Sequence, residues 1–283
     1  MRAWWAPILS GLFDYAGLFP PAAHPMEDAI AEYIRLRRAP SADLMSRFVC
    51  PVGWLVDFRD RWPKQEEPVL LAVLGTSLEG VQQDLRLIDL FEEQMEGRAG
   101  VETYEVKAQP ADVTADSLRR IQNIGYEMAY LELPWVPESL EAMAAIADYE
   151  GLGVKGRTGG LEPSAFPSAD DLASWIQECV NLDLPMKLTA GLHHPWAHRN
   201  DSIPADEHGF LNILAALALA SEADLNRREL AEVLKAETLA DGAGLAWNGE
   251  KIHPDALLEA RAILHSIGSC SIDEPWHDLQ QLL

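Results

Sequence analysis

The sequence predicts one α/β domain with the architecture of a (β/α)8, TIM-like barrel that spans residues 1–283. Eight short apolar segments alternate along the chain with segments whose apolar residues recur at helical spacing. No linker rich in Pro, Gly and Ser divides the chain, and its composition does not change abruptly. An open doubly wound sheet is the alternative, but the first predicted strand lacks the GxGxxG turn that favours dinucleotide binding.

Composition narrows the class of protein. The chain is 48% hydrophobic, which is enough for a large core, and its formal net charge is −23. That charge repels nucleic acid and acidic membranes, so we expect neither as a partner, while a homo-oligomer stays open. There is no apolar run of membrane-spanning length, and residues 1–5 lack the layout of a signal peptide.

Three cysteines without a CxxC pair favour a reduced, cytoplasmic setting. We interpret Cys270 as a small packing residue, with a nucleophilic role as the alternative.

Eight segments are predicted as strands. The first ends in the turn-rich stretch 14–21. The third is apolar from Val69 to Leu74, as expected for a strand covered on both faces of a sheet. In the fourth, Glu105 and Lys107 share a face by the period of two. The predicted strands cover residues 7–13, 46–51, 68–75, 101–108, 127–133, 153–158, 185–190 and 265–272.

The predicted helices lie between these strands. Met26, Ile30 and Tyr33 share one face of the first helix, and Thr114 and Ser168 are N-cap residues of two later ones. Residues 192–264 are treated as an insert of loop, helices and hairpin before the last strand, with a long loop at 194–207 and a hairpin at 244–253. The predicted helices cover residues 26–38, 78–95, 114–123, 137–149, 168–182, 210–221, 226–237, 254–263 and 276–283.

Two lysines stand out because each lies inside a strand that is otherwise made of small and apolar residues. They are Lys155 on the sixth strand and Lys187 on the seventh. A lysine is almost never fully buried unless it is paired, and inside a barrel Glu105 or Glu132 is available as the partner. A desolvated pocket and a like-charged neighbour both lower a lysine pKa, which favours attack on a carbonyl. The alternative is a lysine held in a core ion pair.

Small residues end the last three predicted strands, where barrel phosphate sites are often found. Backbone N–H groups in such turns bind phosphate or carboxylate, although ordinary βα loops also favour glycine. Together with Lys107, Arg157 and His193, they predict a site for a small molecule that carries a phosphate or a carboxylate. The small residues are Thr158, Gly159, Gly160, Thr189, Gly191, Gly268, Ser269 and Ser271.

The adjacent residues His193 and His194 raise a metal alternative. On an extended chain their rings point in opposite directions, so at most one of them joins a given site. Either one, with Asp14, Glu132 or His208, would give a His/carboxylate site for a divalent metal. No HxH, HExxH or Cys/His spacing supports such a site. We therefore expect no cofactor, with a divalent metal as the alternative.

The strand ends resemble those of Schiff-base aldolases of the deoxyribose-phosphate aldolase type. That family carries an aspartate on strand one, a lysine before Thr-Gly on strand six, a second lysine before a glycine turn on strand seven, and a Gly-Thr/Ser-Ser run on strand eight. The similar segments are LFDYAGLFP (12–20), VKGRTGG (154–160), MKLTAG (186–191) and IGSCS (267–271). The resemblance implies that Lys155 forms the imine, that Lys187 tunes its pKa and that the glycine turns hold a phosphate.

The chain also departs from that family. Glu105 and Lys107 stand where the family has a strand-four aspartate, Arg157 is an addition, and the 192–264 insert is longer. The segments DYAGLFPP (14–21), TAGLHHP (189–195) and GSCS (268–271) resemble, over the full length, a widespread bacterial family of uncharacterised function. That second resemblance implies no particular activity.

The sequence therefore leaves three alternative hypotheses for the function, and whether the chain is an enzyme stays open. The favoured one is an aldolase-like lyase acting on a small carbonyl or sugar-phosphate-like compound, with Lys155 as the amine and Glu105 or Glu132 as the general acid/base. The second is a metal-dependent lyase or hydrolase that uses His193 or His194. The third is a non-catalytic binder of a small anionic metabolite.

Overall fold

The computed structural model describes residues 5–222, 225–242 and 244–282. Its strands are β1 (Phe13–Tyr15), β2 (Met45–Pro51), β3 (Val69–Leu74), β4 (Ala99–Lys107), β5 (Met128–Glu132), β6 (Leu152–Arg157), β7 (Met186–Thr189), β8 (His198–Asn200), β9 (Ala205–Glu207), β10 (Ala240–Asp241), β11 (Gly244–Trp247), β12 (Glu250–Ile252) and β13 (Leu264–Ser269). Its α-helices are α1 (Trp5–Leu9), α2 (Met26–Arg37), α3 (Leu55–Arg61), α4 (Val81–Met95), α5 (Ala115–Gln122), α6 (Glu138–Ala147), α7 (Ala169–Leu182), α8 (Phe210–Glu222), α9 (Arg227–Lys235), α10 (Pro254–Ile263) and α11 (Asp273–Leu282). Short 3₁₀ turns cover Ala42–Leu44, Val52–Trp54, Pro110–Asp112 and Pro163–Ala165.

Eight of the strands in the described ranges close into an all-parallel barrel in the order β1-β13-β7-β6-β5-β4-β3-β2. The predicted (β/α)8, TIM-like barrel is therefore confirmed. Because all eight strands run in the same direction, their carboxyl ends share one face of the barrel, where sites of this fold lie. The remaining strands form the antiparallel hairpin β8–β9 and the antiparallel sheet β10–β11–β12.

The start of the chain differs from the prediction. Residues 7–13 were predicted as a strand, but α1 occupies Trp5–Leu9 and β1 begins only at Phe13. A short apolar run does not by itself distinguish a buried helix from a strand. Here Arg261 donates from Nε to the carbonyl oxygen of Ile8 at 2.9 Å, which satisfies an open acceptor at the helix end. As a result, Asp14 lies within the first strand rather than after it.

Other differences are local. Helix α3 was not predicted, and the predicted loop 194–207 contains the hairpin β8–β9. The predicted last helix, 276–283, begins earlier, at Asp273, and residue 283 lies outside the described residues. The predicted N-caps are confirmed, since Thr114 accepts from the backbone of Ser117 and Ser168 accepts from that of Asp171. No helix in the described ranges is long and apolar enough to cross a membrane.

Helix α8 is covered on all sides. Residues 210–218 are buried without exception, because α8 packs against α7, α9 and α10. Its one buried amide, Asn212, donates from Nδ2 to the carbonyl oxygens of Val233 (2.8 Å) and Ala236 (2.9 Å), and its Oδ1 accepts from Ala197 N (2.9 Å). The predicted insert therefore contributes a helix to the outer layer beside α7.

Candidate active site

A row of alternating charges lies inside the barrel. Lys155 Nζ is 2.8 Å from Glu105 Oε2 and 2.7 Å from Glu132 Oε2. Lys187 Nζ is 2.5 Å from Glu105 Oε1 and 2.5 Å from Asp14 Oδ2. Glu105 thus bridges the two lysines, and the row runs Glu132, Lys155, Glu105, Lys187, Asp14. Because β4 and β7 are not neighbours in the barrel, the contact between Glu105 and Lys187 crosses its interior.

Asp14 is the innermost residue of the charge row, and its contacts with Ser266 and Arg47 were not predicted. Its Oδ2 accepts from Ser266 Oγ at 2.7 Å, and its Oδ1 accepts from the backbone N of Arg47 at 3.0 Å. The Arg47 guanidinium lies 3.3 Å from Oδ1 and also forms an ion pair with Glu102. Arg47 lies inside a predicted strand, as the two lysines do, so the same pattern was available to find it.

Accessibility increases along the charge row toward Glu132. The side chains of Lys187 and Glu105 are 1% and 2% exposed, that of Lys155 is 6% exposed, and that of Glu132 is 13% exposed. Beyond Glu132, the 80% exposed Lys107 lies 3.8 Å from its Oε1. The row therefore leads from a sealed end at Asp14 to an open end at Glu132.

The ion pairs favour the charged form of Lys155, Glu105 and Asp14, the three groups of the row whose pKa is shifted. Burial alone would lower the pKa of Lys155, but the charges of Glu105 and Glu132 outweigh it, and the pKa is raised above its ordinary value. Burial alone would raise the pKa of Glu105 and of Asp14, yet the pKa of each is lowered, by the two lysines for Glu105 and by Lys187 and Arg47 for Asp14. Of the two alternatives for Lys155, a lowered pKa or a core ion pair, the structure has the ion pair, because two carboxylates lie within ion-pair distance of its amine.

A pocket of about 520 Å³ opens onto the charge row, a volume that suits a small metabolite. Its lining includes the loops after β1, β6, β7 and β13, together with the hairpin β8–β9. Among the predicted site residues, those that line it are Glu105, Lys107, Glu132, Lys155, Arg157, Gly160, Lys187, Thr189, Gly191, His193, His194 and Gly268. The hairpin adds His198 and Arg199.

Five predicted site residues are not part of this pocket lining. Asp14 is fully buried against Lys187. Thr158 is buried and donates from Oγ1 to the Ala190 carbonyl oxygen at 2.6 Å. Ser269 Oγ donates to the carbonyl oxygen of Ser271 at 2.6 Å. The side chains of Thr158 and Ser269 thus hold the rim loops, whereas that of Asp14 belongs to the inner end of the charge row. The residues outside the lining are Asp14, Thr158, Gly159, Ser269 and Ser271.

Close packing of the loops accounts for two of the glycines. A Cβ at Gly159 would lie 2.7 Å from Gly191 Cα, and a Cβ at Gly268 would lie 2.6 Å from Thr189 Oγ1. Gly191 also adopts a positive φ of 70°. These contacts require glycine whether or not a ligand is present, and anion binding by the turns stays a prediction.

The two adjacent histidines contact different carboxylates. His193 Nδ1 lies 2.8 Å from Glu274 Oε2, an ion-pair contact that is not aligned as a hydrogen bond, and its Nε2 lies 3.8 Å from Cys270 Sγ. His194 Nδ1 lies 2.6 Å from Asp278 Oδ2. Burial alone would lower the pKa of His193, but Cys270 and Glu274 outweigh it and raise the pKa to about 10.

The described residues do not contain the group of metal ligands that the metal alternative requires. Across residues 5–222, 225–242 and 244–282, no group of three or more His, Cys, Asp or Glu is placed to hold a metal ion. Asp14 and Glu132 are engaged by lysines, while His193 and His194 contact carboxylates of α11. The structure therefore does not bring the proposed His and carboxylate ligands together.

No protein-family model matches the chain, and no curated protein matches it in sequence.

Proposed function

We propose that this protein is an aldolase-like lyase that binds a small carbonyl or sugar-phosphate-like compound and forms a Schiff base through Lys155. One observation carries the proposal: the Lys155 amine lies between Glu105 and Glu132, at 2.8 and 2.7 Å, in the wall of a pocket of metabolite size. The strand-end resemblance to deoxyribose-phosphate aldolase-type enzymes supports the same assignment. The proposed chemistry uses no metal or cofactor.

Lys155 is the better candidate of the two lysines. Lys187 has both of its partners, Asp14 and Glu105, at 2.5 Å, and its side chain is 1% exposed. Lys155 instead adjoins Glu132, which is partly open to the pocket and next to the exposed Lys107. A proton that leaves Lys155 thus has a short route to solvent through Glu132, whereas a proton on Lys187 would have to pass through Glu105 and Lys155 first. Lys187 then serves to hold Glu105 in place.

Imine formation requires Lys155 to lose a proton first, and Glu132 is the acceptor nearest to solvent. The neutral amine adds to the carbonyl carbon, and the former carbonyl oxygen leaves as water after it gains two protons. The iminium that forms carries one positive charge, as the ammonium did. The carboxylates of Glu105 and Glu132, already placed around one positive charge, therefore stabilise the iminium as well. Because the nitrogen carries one positive charge both as the ammonium and as the iminium, carboxylates that raise the pKa of the lysine also suit the proposed intermediate.

Carbon–carbon cleavage follows from the same arrangement. A carboxylate removes the proton from the substrate hydroxyl, the adjacent carbon–carbon bond breaks, and its electron pair moves onto the iminium to give an enamine. Glu105 or Glu132 fills this role, since both contact the Lys155 amine. Lys107, Arg157 and Arg199 also line the pocket, and their charges favour a substrate with a phosphate or carboxylate.

Borohydride trapping tests the proposal. The protein is incubated with a panel of small aldehydes, ketones and sugar phosphates, reduced, and examined by intact mass and peptide mapping. We expect one stable adduct, on Lys155, which is absent from Lys155→Met. The matched control is Lys235→Met, which removes a half-exposed surface lysine paired with Glu232 and should keep the adduct.

Two results of that experiment would change the proposal. An adduct on Lys187 alone would keep the chemistry and reverse the roles of the two lysines. No adduct on either lysine across the panel, in a protein that unfolds cooperatively, would refute Schiff-base chemistry.

The raised pKa of Lys155 favours a second candidate, a non-catalytic binder of a small anionic metabolite, because a protonated lysine binds anions without losing a proton. Calorimetric titration with inorganic phosphate and sugar phosphates separates the two candidates. Under the binder hypothesis Glu132→Gln keeps its affinity within a few-fold and no borohydride adduct forms. Under the lyase hypothesis the wild type gives the adduct and Glu132→Gln slows its formation.

A further inference from the structure

The rim of the pocket carries a second set of reactive side chains that the charge row does not use. Cys270 Sγ lies 3.8 Å from His193 Nε2, and His193 Nδ1 lies 2.8 Å from Glu274 Oε2. All three residues line the same pocket as Lys155. A nucleophile, a base within reach of it and a third group that orients the base make up the arrangement used in nucleophilic catalysis.

The fold places these three residues by backbone contacts. Cys270 directly follows β13, and His193 lies in the loop after the neighbouring strand β7. Ala190, with a φ of +66°, starts that loop, and its N–H donates to the Gly268 carbonyl oxygen at 3.1 Å. Residues other than glycine adopt this conformation at a cost, and such strain is concentrated at functional sites. The turn therefore directs the β7 loop toward the end of β13.

Glu274 is held by its own helix. It lies in the first turn of α11, and its backbone N–H donates to Ser271 Oγ at 3.3 Å. Its carboxylate carries a lowered pKa, chiefly because of the contact with His193. A charged carboxylate beside Nδ1 favours a proton on that nitrogen, which leaves Nε2 facing the sulfur.

We propose that Cys270 is a nucleophile, with His193 as its base and Glu274 as the group that orients the imidazole, and that this rim site takes an ester or thioester. The proposal goes beyond the Schiff-base function and does not depend on it.

Cys270 differs from the other two cysteines of the chain in its burial and in its neighbours. Cys50 and Cys179 are fully buried, and burial raises the pKa of both thiols. Cys270 is only partly buried and lies beside an imidazole. Contacts with Cys270 and Glu274 raise the pKa of His193, and a protonated imidazole within reach of a sulfur is the environment in which a cysteine becomes nucleophilic.

The reaction uses Cys270, His193, the ester and one molecule of water. The Cys270 thiolate adds to the carbonyl carbon, so that a carbon–sulfur bond forms and the C=O electron pair moves to oxygen. Collapse of this adduct breaks the bond to the leaving group, which takes the proton from His193 Nε2. Water then attacks the acyl-cysteine, His193 accepts a proton from it, and the carbon–sulfur bond breaks to release the acid and restore the thiolate–imidazolium pair.

p-Nitrophenyl acetate is the probe. At neutral pH we expect a burst of p-nitrophenol and one acetyl group on the peptide that contains Cys270, with none on Cys50 or Cys179. Cys270→Ser should lose this label. His193→Asn should acylate about 100-fold more slowly, since it loses both the cation that favours the thiolate and the proton donor for the leaving group, and acid–base assistance contributes roughly 10²–10⁴ in rate.

Glu274→Gln provides a second variant, because its side chain is 56% exposed and the change is mild for folding. We expect acylation to slow about tenfold, since the orienting charge is lost. The matched control is Asp278→Asn, which lies on the same helix and contacts His194 instead, and it should acylate at the wild-type rate. Circular dichroism checks that each variant is folded.

Two outcomes would overturn the proposal. One is acetylation confined to lysines, without label on Cys270. The other is a wild-type acylation rate in both folded His193→Asn and Glu274→Gln, which would leave Cys270 as an ordinary exposed thiol. The Lys155 adduct and the Cys270 acyl group map to different peptides, so the failure of one experiment does not affect the other.

Discussion

Replacing Glu105 by glutamine tests whether the charge row stabilises the barrel. The carboxylate is 2% exposed and contacts Lys155 at 2.8 Å and Lys187 at 2.5 Å. Glutamine keeps the size of the side chain but removes the charge between two buried ammonium groups. Removing one partner of a buried ion pair costs about 3–5 kcal/mol. Because Lys155 keeps Glu132 and Lys187 keeps Asp14, we expect a loss near the lower limit, about 3 kcal/mol in the free energy of unfolding.

Urea denaturation at neutral pH, followed by tryptophan fluorescence, measures this difference. Lys107→Ala is the control, since it removes the exposed partner of Glu132, 3.8 Å away, and should change the free energy of unfolding by less than about 0.5 kcal/mol. The reasoning is refuted if Glu105→Gln costs no more than Lys107→Ala.

The pH dependence of the same variant has a definite sign. The folded-state pKa of Glu105 lies below its ordinary value, so its contribution is fully present above the unfolded pKa of about 4.3 and is lost as the pH falls through the folded value. The difference between wild type and Glu105→Gln should therefore be constant from about pH 5 to 8 and shrink in acid. Urea titrations at a series of pH values check this trend.

Two further predictions concern packing and buried polar groups. Gly159→Ala places a methyl group 2.7 Å from Gly191 Cα, and we expect a loss of about 2 kcal/mol in urea denaturation, whereas Gly53→Ala, whose Cβ meets nothing within 4 Å, should have little effect. Asn212→Leu leaves two carbonyl groups and one N–H without their amide partner, so we expect about 3 kcal/mol of destabilisation by the same measurement, and an unchanged midpoint would contradict the role of that amide.

The alternation of strands and helices was readable from the sequence because most barrel strands are short and rich in apolar residues and most helices have one apolar face. The exception at the first strand has a physical cause. The run at residues 7–13 is too short to show a period, and the contact that favours the helix comes from Arg261, near the other end of the chain. A local pattern contains no information about such a partner.

The sequence was enough to predict that Lys155 and Lys187 belong to the site, but not the direction in which the pKa of Lys155 is shifted. The pairing of Lys155 with Glu105 and Glu132 is confirmed, since a lysine in an apolar strand must find a partner. The sequence left open whether burial or a carboxylate partner sets the pKa of Lys155, and the structure shows that two carboxylates reach the amine and raise it. The interpretation of Cys270 as a packing residue missed its contact with His193 for a similar reason, as the contact depends on how two loops approach each other.

The burial of α8 on every side has a consequence for synthesis of the chain. This helix is made before α9 and α10, which cover it. At translation rates of about 5–20 residues per second, the segment up to Ile263 takes roughly 2 to 8 s more to appear. During that interval the apolar faces of α8 that α9 and α10 later cover are open to solvent, which is the condition under which nascent chains aggregate or recruit chaperones. A chain cut after residue 222 would keep that surface exposed permanently.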